Sequence, residues 1–257
     1  QRVIVNNRPR EGGMSGIHEM TRAQPDGYTV GFVWNSPLTV TPLTVRAPYE
    51  KRDYRAVMSI GFSSYVLCAR PDFPADDATA LIEHLVANPG LYSYGNDGAG
   101  GTMRLAAERI FRSAGAELRG VPFSGATETA RNFLAGQVDF YGGSLAAILP
   151  HVESGQAKCL ILTSADDNPA MPAASGLRAL GLEHAETVLW WGMIAPAGVP
   201  DDDVARLEAA FLAAAESEPF IADMIRRGAV PRARGAIETD AMIESEIAAF
   251  REIVATQ

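Results

Sequence analysis

Lysine is nearly missing from this chain of 257 residues: Lys51 and Lys158 are the only two, and arginine supplies the rest of the 22 cationic side chains. Against 31 Asp and Glu this leaves a formal charge of −9 and a pI near 5.0. Such a balance provides no electrostatic footprint for nucleic acid. Long hydrophobic runs are lacking as well. Nothing approaches the roughly 20 apolar residues of a membrane-spanning helix, and the longest stretches, such as Ala209 to Ala215, belong to an amphipathic helix. Histidine is sparse: His18, His84, His151 and His184 stand apart with no H-E-x-x-H or H-x-x-x-H pairing, so no metal site is expected. Cysteine is limited to Cys68 and Cys159, each inside an apolar strand-like run. Two cysteines define neither a zinc site nor a disulfide framework. Buried free thiols are the expectation, since a bridge would require the two runs to be neighbouring strands. No initiator methionine or signal peptide precedes Val3-Ile4-Val5, which reads as a short strand, so the chain is expected to lack its natural beginning.

What is present is organised around Tyr92 to Phe111. Leu91 to Tyr94 alternates as a strand end, Gly95-Asn96-Asp97-Gly98-Ala99-Gly100-Gly101 strips side chains from the backbone, and Thr102 or a small neighbour caps a helix carrying Leu105, Ala106, Ile110 and Phe111. Such a unit leaves N–H groups unpaired at the positive end of a helix dipole, a seat for an anion. A glycine-rich surface turn without a ligand is the plainer reading of the same residues.

Two more units follow. Leu118 to Pro122 leads through Phe123-Ser124-Gly125-Ala126 to a helix over Thr127 to Leu134, and strand Val138 to Tyr141 leads through Gly142-Gly143-Ser144 to a helix over Leu145 to Ser154. Strands that alternate with helices predict a parallel sheet, with the three small-residue turns together at its carboxyl edge. Elsewhere the pattern predicts strands at Tyr28 to Trp34, Ala56 to Ala69, Ala157 to Thr163 and Thr187 to Ala195, and a helix at Ala78 to Ala87. Residues 38 to 54 read as irregular because of Pro42 and Pro48, and Asp166 to Ala185 as a loop. Two closing amphipathic helices are expected, one after Asp201-Asp202-Asp203 and one after Thr239.

Known chemical motifs fit poorly. Gly98-Ala99-Gly100-Gly101-Thr102-Met103 lacks the third glycine of a dinucleotide fingerprint, and no P-loop is present, so no cofactor is expected. Gly142-Gly143-Ser144-Leu145-Ala146 is a loose nucleophile elbow, and Asp166 or Asp167 with His184 would complete the order Ser, Asp, His of a serine hydrolase. Its fifth position is Ala and no oxyanion-loop motif precedes it; Ser144 reads equally as a helix cap. Asp139 alternates with apolar neighbours on a strand. Asp97 lies inside the anion seat, where it would repel a carboxylate if it pointed inward, so it is expected to face solvent or to bond local N–H groups.

Asn6-Asn7-Arg8-Pro9, Pro25-Asp26-Gly27-Tyr28-Thr29, Asn88-Pro89-Gly90, the Gly95 to Thr102 loop, Val121-Pro122-Phe123-Ser124-Gly125, Gly136-Gln137-Val138-Asp139 and Ala195-Pro196-Ala197-Gly198-Val199-Pro200 occur in this order. In that series the chain resembles the Bug family of solute-binding proteins, the receptors of tripartite tricarboxylate transporters. The resemblance implies no enzyme but a periplasmic receptor of α/β class, with a two-lobed, type II-like periplasmic-binding-protein fold and a cleft between the lobes that closes on a small carboxylate. It implies two integral-membrane transporter subunits as partners and no nucleic acid. Lobe one would be residues 1–68 and 187–257, lobe two residues 69–186, with Ala56 to Ala69 and Thr187 to Ala195 as crossover strands. Family chains begin with a further strand, glycine loop and helix, a unit expected to be absent here. Matching by position, Asn35 and Ser36 would be the first-lobe contacts, with Trp191 near the cleft. Asn96, Asp97, Gly98, Ala99, Gly100, Gly101, Thr102, Ser124, Gly125, Ala126, Gly143 and Ser144 would be the second-lobe contacts. The family usually has a small hydroxyl residue where Asp97 stands and an aromatic–Lys–Gly turn where Phe123-Ser124-Gly125 stands. It also has a proline- and threonine-rich segment where this chain has Ala173 to Leu177. A mono- or dicarboxylate is the favoured guest, with an amino acid or aromatic acid still open.

Overall fold

The computed structural model describes residues 2–8, 13–98 and 101–254. The chain divides into two compact units: residues 1–61, 190–222 and 231–257 form the first, and residues 62–189 with 223–230 form the second.

In the first unit, α1 (Met14–Thr21) turns Ile17 and Met20 inward, and Gly13 precedes it at φ 92, pressed so closely on the Trp34 ring that a Cβ would lie 2.7 Å away. β1 (Gly31–Trp34) runs into α2 (Ser36–Thr39) and α3 (Thr41–Thr44), each four residues long. These two turns correct the irregular reading of this stretch. Pro37 and Pro42 sit within the first two positions of their helices, where a missing N–H interrupts nothing, so they start helices rather than break them. β2 (Tyr54–Ala69) begins in this unit and runs on into the second. Val3, Ile4 and Val5 form no strand and are at least 80% exposed, so the strand expected there is corrected too.

The second unit continues with α4 (Ala78–Ala87), whose start is capped by Asp77 accepting from Ala80 N–H at 2.8 Å. Then come β3 (Ser93–Asn96), α5 (Thr102–Ala114), β4 (Arg119–Pro122), α6 (Ala126–Leu134), β5 (Phe140–Ser144), α7 (Leu145–Glu153) and β6 (Lys158–Leu162). β3 pairs in parallel with both β4 and β5, while β5 and β6 each pair antiparallel with β2. Alternation along β2 sorts the core. Tyr65, Leu67 and Ala69 join the side chains of α4 and α5 on one face, and Val66 and Cys68 join those of α6 and α7 on the other. Helices therefore cover both faces of this sheet, as strands linked by helical crossovers require.

In that register Cys68 stands directly opposite Cys159, and the two form a disulfide. The expectation of free thiols is overturned, because β6 returns to pair with β2, a strand 91 residues earlier. The chain then returns to the first unit along β7 (Val188–Pro196), which pairs antiparallel with β1, and continues into α8 (Asp201–Ala215). α9 (Glu218–Arg226), β8 (Val230–Gly235) and α10 (Ala236–Val254) follow. α9 and β8 were not expected, and the last helix begins before Thr239 rather than after it. Here Thr239 Oγ1 bonds the Arg234 carbonyl within the helix's first turns. Val57, Met58, Ala195, Val199, Val204 and Ala215 make the core under β2, β7 and α8.

Candidate functional site

Because β3, β4 and β5 are parallel, their carboxyl ends share one edge of the second unit, and the three turns into α5, α6 and α7 meet there. Phe123 N–H of the second turn donates to the Asn96 carbonyl of the first at 2.9 Å, and Thr129 Oγ1 of α6 bonds the carbonyls of Gly125 at 3.0 Å and Asn96 at 3.4 Å. The strands run further into these turns than periodicity predicts: Gly95 and Asn96 belong to β3, and Gly142, Gly143 and Ser144 to β5. Close approach explains it. A Cβ on Gly95 would lie 2.7 Å from Thr129 Cγ2, and one on Gly142 would lie 2.7 Å from the Gly95 carbonyl oxygen. These glycines let two strands and a helix pack backbone to backbone.

At the first turn, Asn96 is buried and its Oδ1 accepts from Gly98 N–H at 3.0 Å. Asp97 does not point away. Its Oδ2 accepts from Met103 N–H at 3.2 Å and its Oδ1 from Arg104 N–H at 3.1 Å, so of the two sequence alternatives the local N–H bonds are what form. Burial raises the pKa of this carboxyl, and the two N–H bonds oppose the rise. Gly101 is the N-cap residue, and a Cβ there would collide with the Asp97 carboxylate. Of the two cap readings the small neighbour, Gly101, is the one that forms, and Thr102 is the first helical residue; it is 1% exposed and its hydroxyl has no hydrogen-bond partner among the described residues. Ala99 and Gly100 lie outside the described residues.

The second turn carries an acid that sequence reading missed. Glu128 Oε2 accepts from Ser124 N–H at 2.9 Å, and the hydrogen bonds from Ser124 hold its carboxyl below the usual glutamate range. The signal was available, since a Glu at the third helical position is half of a capping box. Gly125 is the N-cap at φ 141, a conformation side chains resist, and Ala126 opens the helix. Ser124, Gly125, Ala126, Thr127, Glu128 and Arg131 line an open depression of about 470 Å³. At the third turn Ser144 is the N-cap of α7 but makes no side-chain cap bond, and its carbonyl accepts from Tyr141 Oη at 2.9 Å. Gly143 leaves room for that tyrosine: its Cβ would come within 2.5 Å of Tyr141 Cζ.

Asn35, Ser36 and Trp191 belong to the first unit. Asn35 is buried ahead of α2, its N–H donates to the Trp190 carbonyl at 3.2 Å, and Trp191 stands opposite Trp34 across the β1–β7 pair. Ser36 Oγ lies 3.4 Å from Thr41 Oγ1. The residues that would turn Ser144 into a nucleophile are otherwise engaged. His184 Nε2 lies 3.1 Å from Ser113 Oγ, Asp166 pairs with Arg178 Nε at 3.0 Å, and Asp167 Oδ1 accepts from Gly176 N–H at 2.7 Å. No observation favours a hydrolase.

Among known proteins, the family model described as TctC, tripartite tricarboxylate transporter family receptor, matches residues 1–256. The UPF0065 protein in the tcbD-tcbE intergenic region of a Pseudomonas species is 29% identical over 258 residues, which cover 99% of this chain and 76% of that one. BugT of Bordetella pertussis is 27% identical over 257 residues, covering 99% and 79%. The solved structure of R. palustris Rpa4515 with adipate is 26% identical at a TM-score of 0.83, covering 98% of this chain and 85% of that one. The chain belongs to the TctC, or Bug, family and is a solute-binding receptor of the tripartite tricarboxylate transporter type with the α/β fold of periplasmic binding proteins.

Proposed function

We propose that this chain captures a small carboxylate at the edge where β3, β4 and β5 end and hands it to the membrane subunits of a tripartite transporter. The convergence of three helix starts on one sheet edge is the observation that carries this reading. Peptide dipoles and N–H groups at a helix start bind carboxylates without a basic side chain. Rpa4515, a relative of the same fold, was solved with adipate, which supports a carboxylate as the guest class. A buried disulfide is typical of chains that fold in an oxidising compartment, which supports a periplasmic location. The reading assigns the chain no chemical step: binding shifts the receptor toward the form that its membrane partners accept.

The test removes one donor and little else. Ala126 is the first residue of α6, where proline is tolerated, and the preceding Gly125 has an extended ψ of 175. Ala126→Pro is expected to fold normally and to weaken carboxylate binding by on the order of tenfold or more, the value of one hydrogen bond to a charged group. Calorimetry with a panel of small carboxylates reads the effect. Unchanged affinity for every carboxylate that binds the parent chain would remove this edge from the site.

A further inference from the structure

The seat at the start of α5 is already filled. Asp97 gives its two oxygens to the N–H groups of Met103 and Arg104, the same donors that a guest carboxylate would need there. The second turn is likewise served by the chain, through Glu128 on Ser124 N–H. The third turn differs, because the first turn of α7 holds no acid and Ser144 makes no side-chain cap. Cations nearby are matched by acids: Arg104 Nε lies 2.7 Å from Glu108, and Arg131 lies 3.7 Å from Glu128. The α5 start therefore presents the guest with a carboxylate in place of two donors, and Glu128 takes one N–H just ahead of α6.

We propose that Asp97 is a specificity-determining residue that restricts the guest to one carboxylate, by occupying the α5 donors and setting a negative charge against any second one. The favoured guest is a monocarboxylate whose other end is neutral or carries hydrogen-bond donors, an ammonium being the best match for Asp97 and Glu128. This rests on the receptor reading above and narrows its substrate class. The like-charge contact acts as a rejecting element, which discriminates between partners as effectively as an added attraction. Gly101 is part of the device, because only a residue without a side chain lets the Asp97 carboxylate lie over the helix start.

The test compares matched pairs, butyrate with succinate and hexanoate with adipate, by calorimetry on the parent chain, Asp97→Asn and Asp97→Ser. Asn keeps one acceptor for the helix start and guards the fold, while Ser opens the seat; circular dichroism checks that both are folded. The parent chain is expected to prefer the monocarboxylate of each pair. Both variants are expected to gain affinity for the dicarboxylate on the order of tenfold relative to its partner, since like charges in close contact are strongly disfavoured. A parent chain that prefers dicarboxylates, or variants that leave the ratio within each pair unchanged, would overturn the role of Asp97 and leave the receptor reading standing. Failure of all three proteins to bind any carboxylate would overturn the receptor reading and this inference with it.

Discussion

Gly101 and Asp97 act as one unit at the residue scale. The carboxylate can satisfy two N–H groups of α5 only because nothing projects from Gly101, where a Cβ would collide with it. Gly101 has φ −81 and ψ 140, an ordinary extended conformation, so the glycine is required by close approach and not by backbone freedom. Gly101→Ala is therefore expected to dislodge Asp97 and to lower stability by about 1–2 kcal/mol, the usual worth of a helix cap. The same substitution in an Asp97→Ser background should cost much less, because the clash and the cap are gone together. Denaturant melts of the four proteins measure that coupling. Equal losses in both backgrounds would mean that Gly101 serves something other than the carboxylate.

At the scale of elements, the disulfide fastens β6 to β2 across the core formed with α6 and α7. It closes a long loop, the two cysteines standing 91 positions apart in sequence, and both sulfurs lie in the interior. Replacing both cysteines by Ala is expected to cost about 2–5 kcal/mol, read as a lower denaturation midpoint that no longer responds to reductant. A midpoint unaffected by the replacement would show that the core holds the two strands unaided. Local pattern made the strands of this element legible, since Ala56 to Ala69 and Ala157 to Thr163 are apolar runs bounded by turn residues. It did not make their pairing legible: which strand returns to which is decided by packing on both faces. The same limit explains α9 and β8. Val230 to Gly235 contains Pro231 and two arginines, which argues against a strand until β2 is there to pair with it. The short helix starting at Thr41 was hidden by reading Pro42 as a breaker rather than as a first-turn residue. The alternation of β3, β4 and β5 with α5, α6 and α7 was legible because each apolar run leads through a short glycine-containing stretch into a helical repeat. The Asp97 bonds to local N–H groups were legible only as one of two alternatives and the Glu128 bond not at all, since only the folded loop shows where these side chains turn.

For the whole molecule, charge separates a site built on peptide dipoles from one built on basic side chains. The chain carries −9, so for a proposed carboxylate guest that bears no cationic group the long-range field opposes the encounter while the local N–H groups reward it only on contact. Added salt shortens the range of that repulsion, from about 30 Å at 0.01 M to about 8 Å at 0.15 M, and leaves short hydrogen bonds nearly untouched. The association rate of a carboxylate is therefore expected to rise with ionic strength, roughly twofold or more across that interval, while the dissociation rate stays nearly constant. A site steered by arginine would behave in the opposite way, with association slowing as salt screens the attraction. Stopped-flow measurements of one binding carboxylate at several salt concentrations distinguish the two. A falling association rate would place a net positive field at the mouth of the site. It would transfer the leading role from the helix starts to a cation such as Arg131, which borders the depression beside Ser124 and Gly125.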